Sequence, residues 1–244
     1  MVVIAAANYG ANGPFYSSTG SSGKNVLAAA DIIVNQAQGT VLPQPGSAWG
    51  PLYDLQVKPD VGAPGTDIYS AWLDNEFEIL TGTSMATPYM AGMAALFISA
   101  NGGRDVYGKD FAHFFRRRLI ATSDPVPHNI DTDAIASVAQ VGAGLANVAK
   151  AVAATTNLEF NMMALNDTHY FSRYHSVTVA NQGEEDVEYS FSKDDAVCIK
   201  TVRINPDGTK VIPVASELET TECSVIANLP NKFTLRAGAK KTVQ

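Results

Sequence analysis

Between residue 1 and about residue 155, apolar runs alternate with turns rich in glycine and proline. "VVIAAA" (2–7) and "NVLAAA" (25–30) are nearly continuous hydrophobic stretches, the pattern of short strands in a parallel sheet covered on both faces. "KPDVGAPGTDIYSAW" (58–72) reads as a loop with two prolines leading into a further strand. An uncharged segment follows, "GTSMATPYMAGMAALFI" (82–98), and predicts a long helix from Ser84 to about Ala100, ended by "NGG" (101–103). "KDFAHFFRRRLIAT" predicts another helix, "SDPVP" a proline-rich turn, and "GAGLANVAKAVAATT" a last helix entered through two glycines. Strands followed by helices imply α/β layering.

The period changes near residue 156. "YHSVTVANQ", "DVEYSFS", "KVIPVAS" and "KFTLRAG" alternate apolar and polar positions between Gly, Asp, Asn and Pro. Period-two runs broken by turn signals predict an antiparallel sandwich. Two domains are therefore expected, 1–155 and 156–244. The first residues read as a core strand and the last, "KKTVQ", as part of another, so both domains are expected to be cut short. Unpaired edges and apolar faces would then favour poor solubility or a partner chain.

Composition narrows the classes. Hydrophobic residues make up 46% and charged residues 17%, a lightly charged globular composition. The net charge of −7 and the lack of any large basic cluster argue against nucleic acid as a partner. "RRR" (116–118) follows Phe111, Phe114 and Phe115 and is read as the solvated face of an amphipathic helix. No apolar run reaches the ~18–20 residues that span a bilayer, and the first residues lack the basic n-region of a signal peptide. No metal or cofactor motif is present. Cys198 and Cys223 are far enough apart to permit a disulfide, and Asn166-Asp167-Thr168 is a glycosylation sequon. Both lean towards an extracellular protein.

The candidate chemistry lies at Ser84, a hydroxyl expected to be buried at the head of an apolar helix. One reading is an N-cap serine. The other is a nucleophile at the positive end of the helix dipole, beside free backbone N–H groups that stabilise a developing anion. Gly82 permits backbone geometry closed to other residues, Pro88 is tolerated in the first turn, and Ala86, Ala91, Gly92, Ala94 and Ala95 allow close packing. Both readings accommodate these residues.

"GTSMATPYMAG" closely resembles the nucleophile motif of the subtilisin-like serine proteases, the subtilases. "AWGPLYDLQ" and "KPDVGAPGTDIYSAW" resemble further family segments in the same order, and "VVIAAANYGANGPFY" resembles the strand and turn that carry the family's oxyanion asparagine. "MALNDTHYF", "HSVTVANQG" and "NKFTLRAGAKKTV" resemble the Fn3-like sandwich that follows the catalytic domain in large secreted members. The resemblance thus implies a partial subtilisin-like three-layer parallel-sheet domain followed by an Fn3-like antiparallel β-sandwich. It also implies a secreted serine endopeptidase acting on polypeptides, with no cofactor. Ser84 would be the nucleophile. Asn8 would donate to the oxyanion, although Asn before Tyr-Gly also suits a plain turn. Ala5, Ala6, Ala7, Gly82 and Thr83 would line the substrate groove. The family usually carries glycine where Ala7 stands, so a methyl group there is expected to narrow the pocket or shift Asn8.

The pattern departs from the family in two places. A serine nucleophile needs a base, and subtilases order their triad Asp, His, Ser. Here His113, His128, His169 and His175 all follow Ser84, and Asp31, Asp54, Asp60, Asp67 and Asp74 lack the family's D-T/S-G setting. The acid and base are expected from the protein's own missing N-terminal half. The alternative is an inactive pseudoprotease that binds peptides or proteins. Secondly, a short Gly/Pro-punctuated linker, "AQGTVLPQPG", stands where large relatives often carry an inserted domain.

Overall fold

The computed structural model describes residues 1–23, 25–166, 169–222 and 226–244. Its first sheet is built on a long strand, β2 (Val26–Asn35), whose residues Leu27 to Ala30 and Ile32 are wholly buried. β1 (Val2–Ala5) pairs parallel with β2 through Val2↔Val26 to Ala5↔Ala29. β3 (Thr40–Pro43) returns antiparallel along the far end of β2, and β4 (Val61–Pro64) pairs parallel with its middle, Ala29↔Val61 to Ile32↔Pro64. The short linker is therefore a hairpin arm rather than a loop: Val41 and Leu42 continue the pairing beyond the reach of β1. The 58–72 segment likewise contains β4 and the first arm of a second hairpin, β5 (Ile68–Ala71) with β6 (Phe77–Leu80).

The 82–98 segment forms α1 (Thr83–Asn101), which ends at Gly102 in the left-handed region, where glycine has no Cβ to clash. Ala86, Met90, Met93, Ala94 and Phe97 recur at helical spacing and pack on Leu27, Ala29, Val61 and Ala63. After α2 (Arg104–Tyr107), α3 (Phe111–Thr122) closes the same core. Phe97 sits within ring contact of Tyr107, Phe111, Phe114 and Phe115. A smaller cluster of Ile32, Val126, Ala136 and Val141 involves α4 (Val138–Val141), and α5 (Val148–Ala153) completes this part. The other side of α1 is also apolar, and Tyr89, Leu96 and Ile98 there are exposed.

From Thr156 the chain is strand-rich and antiparallel. β7 (Thr156–Glu159) and β8 (Val177–Asn181) pair, and β9 (Val187–Tyr189) lies beyond them in the chain. Then come β10 (Val197–Ile199), β11 (Arg203–Ile204), β12 (Lys210–Val211) and β13 (Thr220–Glu222), which form the pairs β10–β13 and β11–β12. β14 (Phe233–Leu235) pairs with β9, and β15 (Lys240–Val243) with β8. Asn181 anchors the assembly: its buried amide donates to the carbonyls of Glu185, Leu235 and Arg236. Cys198 on β10 is disulfide-bonded; Cys223 lies outside the described residues, as do Asp167 and Thr168 of the sequon.

The basic run is not a solvated face. Arg118 is 5% exposed, donates to Ala154 O and to Gln182 Oε1, and lies over the Phe114 ring at 5.2 Å. It joins α3 to the chain on either side of β7 and β8. Arg116 pairs with Asp60, which also accepts from Lys58 at 2.7 Å and from the Ala28 N–H at 2.7 Å. Long side chains let a charge reach back into the core when a fixed acceptor waits there, something period alone does not reveal.

Candidate active site

Two segments far apart in sequence meet where α1 begins. Gly82 precedes the helix and adopts φ 149°, and a Cβ there would lie 2.8 Å from Asn8 Nδ2. Only glycine allows so close an approach with that backbone. Thr83, fully buried, opens the first turn. Its N–H and its hydroxyl both donate to Asn8 Oδ1 at 3.0 Å, and its hydroxyl accepts the Ala7 N–H at 3.2 Å. A backbone N–H can only donate, so the Asn8 atom facing it is the oxygen and the amide nitrogen points elsewhere. Asn8 is thereby oriented, and its two N–H donors have no partner among the described residues.

Ser84 is the second residue of α1 and is exposed. The N-cap is Gly82, so neither an N-cap serine nor a buried hydroxyl describes it. Its hydroxyl has no hydrogen-bond partner among the described residues, and its N–H lies in the first turn, where no i−4 carbonyl is available. Ala5 and Ala7 are partly buried and Ala6 fully buried; Ser18 Oγ holds the Ala5 carbonyl at 2.7 Å. Ala7 takes φ 95°, a left-handed conformation that costs a residue with a Cβ about 1–3 kcal/mol. Glycine at this position would be free of that strain.

Asp31 lies behind the same loop, and sequence reasoning gave it no part in the site. It is 1% exposed, accepts from the Thr66 hydroxyl at 3.1 Å, and leaves Oδ2 with no partner. Gly65 packs between it and Gly82: a Cβ on Gly65 would lie 2.6 Å from Asp31 Oδ1, and the Gly65 carbonyl accepts the Gly82 N–H at 2.9 Å. Burial raises the Asp31 carboxyl to about 6, against opposing hydrogen bonds from Thr66 and Gly65. A carboxylate at the centre of an apolar strand was the available sequence signal. The four histidines do not join this cluster: His113 is exposed on α3, and His128, His169 and His175 lie in later segments. Among the described residues no group of His, Cys, Asp or Glu could hold a metal ion, and no helix is long and apolar enough to cross a membrane.

The subtilase family (Peptidase S8) matches residues 1–144. The chain belongs to that family. It is 33% identical over 131 residues to a C5a peptidase of Streptococcus pyogenes serotype M18, an alignment covering 52% of this chain and 11% of that protein. It is 29% identical over 136 residues to a PII-type proteinase of Lactococcus lactis subsp. cremoris, covering 52% of this chain and 7% of that one. The matched part of the chain thus spans about a tenth or less of the length of these relatives. Among solved structures, that of the prenylagaramide maturation protease PagA aligns over 62% of this chain and 49% of its own, with 28% identity and a TM-score of 0.47.

Proposed function

We propose that this chain carries the nucleophile and the oxyanion-binding half of a serine endopeptidase site. The observation that carries the reading is the Asn8–Thr83 clamp. It fixes Asn8 beside the first turn of α1, its N–H donors without a partner among the described residues, and its partner Thr83 is next to an exposed serine. Ser84 Oγ attacks the peptide carbonyl, and the charge that develops on oxygen is met by Asn8 Nδ2 and the Ser84 N–H. Donors held in place before the reaction stabilise that charge at no reorganisation cost. Gly82, Thr83 and the Ala5–Ala7 strand end flank the substrate.

The base and acid come from the remainder of a longer protein, which docks on the exposed apolar side of α1. That side carries a groove of ≈ 750 Å³ lined by Pro88, Tyr89, Met93, Leu96 and Val148. Residues 156–244 are then the Fn3-like sandwich that follows the catalytic domain. The disulfide at Cys198 supports passage through an oxidising compartment and a secreted protein. One observation favours a second reading, a peptide-binding module without catalysis: no described residue bonds the Ser84 hydroxyl, and an unassisted serine is a weak nucleophile.

Labelling with a fluorophosphonate separates the two. The longest natural form of the protein is treated with the probe and digested, and the adduct is mapped by mass spectrometry. An adduct on Ser84 that is lost in Ser84→Ala supports the peptidase. A folded protein that stays unlabelled yet retains peptides refutes it in favour of the binding module.

A further inference from the structure

The basic run of α3 divides into three fates. Arg118 is committed to Ala154 and Gln182, and Arg116 to Asp60. Arg117 forms no ion pair or hydrogen bond with any described residue, and the Nε of each of the three arginines is buried without an acceptor. A buried donor left unsatisfied costs about 1–3 kcal/mol.

Arg116 and Arg117 both line a cavity of ≈ 730 Å³ that also borders Lys58, Asp60 and the 160–163 segment. Its described lining residues include three permanent or buried cations, Lys58, Arg116 and Arg117, with His113 beside them. Asp60 is the one acid among the described lining residues, and it is already shared among Lys58, the Ala28 N–H and Arg116. Burial pulls the Lys58 ammonium below its usual range, and Asp60 opposes that shift. Ile120 and Met162 supply apolar wall. The cavity therefore has a surplus of positive charge and a greasy side.

We propose that this cavity binds a carboxylate joined to an apolar group, the chemistry shared by the C-terminal residue of an apolar peptide and a short fatty acid. The carboxylate takes the fork of Arg117, with the charge of Arg116 behind it. The apolar group rests on Ile120 and Met162. Guanidinium suits this task because its planar donors match both carboxylate oxygens at once. The assignment does not depend on the peptidase reading.

Calorimetric titration of the purified protein with N-acetyl-leucine, N-acetyl-leucinamide and hexanoate tests it. At least one of the two acids binds, the uncharged amide does not, and Arg117→Ala weakens the acid about tenfold or more. Arg117→Lys keeps part of the affinity. Preference for N-acetyl-leucine over hexanoate identifies the peptide terminus as the source, and the reverse order identifies the fatty acid. Arg117 holds no described partner, so its loss leaves the fold intact, which a melting curve of the variant checks. Failure of both acids to bind at millimolar concentration overturns the proposal, as does equal binding by Arg117→Ala.

Discussion

Replacing Asp31 with asparagine removes a pH dependence of stability that one buried carboxyl imposes on the parent. The folded state holds Asp31 at about 6 against an ordinary value of 3.8. Ionisation is therefore harder in the folded chain than in the unfolded one. Below 3.8 both states are protonated and the group is neutral in the balance. As pH rises from 3.8 towards 6 the unfolded state gives up its proton first, and stability falls. Above 6 the penalty levels off at about 3 kcal/mol, from the separation of the two values. Asparagine does not titrate, so the variant lacks this loss. Any fixed cost of the amide, such as a donor facing the place of the unpartnered Oδ2, shifts its whole curve equally. The assay is urea unfolding of both proteins from about pH 3 to 7.5, followed by the fluorescence of Trp49, which is buried. The variant gains about 3 kcal/mol on the parent across that range, most of it between pH 4 and 6. Parallel curves would show that Asp31 ionises freely in the fold, and the account of its environment would be wrong.

Ala7→Gly removes a Cβ from a backbone at φ 95° and stabilises the chain by about 1 kcal/mol, read as a higher melting temperature. Gly82→Ala places a Cβ against the Asn8 amide, so labelling of Ser84 is lost while the far-UV spectrum is kept. In a complete enzyme Asn8→Ala lowers kcat about 100-fold or more with little change in KM. That order of magnitude is known from subtilisin itself. Arg118→Met abandons two charge-assisted hydrogen bonds, costs about 3 kcal/mol in denaturant, and opens the 154–156 connection to proteolysis.

The helix that carries the candidate serine was legible because its residues obey short-range rules. The small residues after Gly82, the absence of charge up to Ile98 and the "NGG" stop delimit α1 to within a residue or two, since periodicity and capping are local properties. The α/β layering followed by antiparallel strands was legible for the same reason. What escaped depends on partners distant in sequence. Nothing near Thr83 announces that its hydroxyl bridges Ala7 and Asn8. "TVLP" resembles any loop until β2 offers it an edge. Arg118 carries the same signal as Arg117, yet one is buried against two carbonyl oxygens and the other holds no partner among the described residues. Asp31 was visible as a charge in an apolar strand, but its place behind Gly65 exists only once β4 has docked.

The clamp between Asn8 and Thr83 joins groups 75 positions apart in the chain. Its formation requires β1, β2 and α1 to be in their final places, a long closure whose entropy is repaid only by the finished core. The proposed chemistry is thus a late product of folding. A half-formed chain, with its backbone open and close at hand, would possess the serine but not the oriented amide, and so would be unable to cut itself or its neighbours while they are still being assembled.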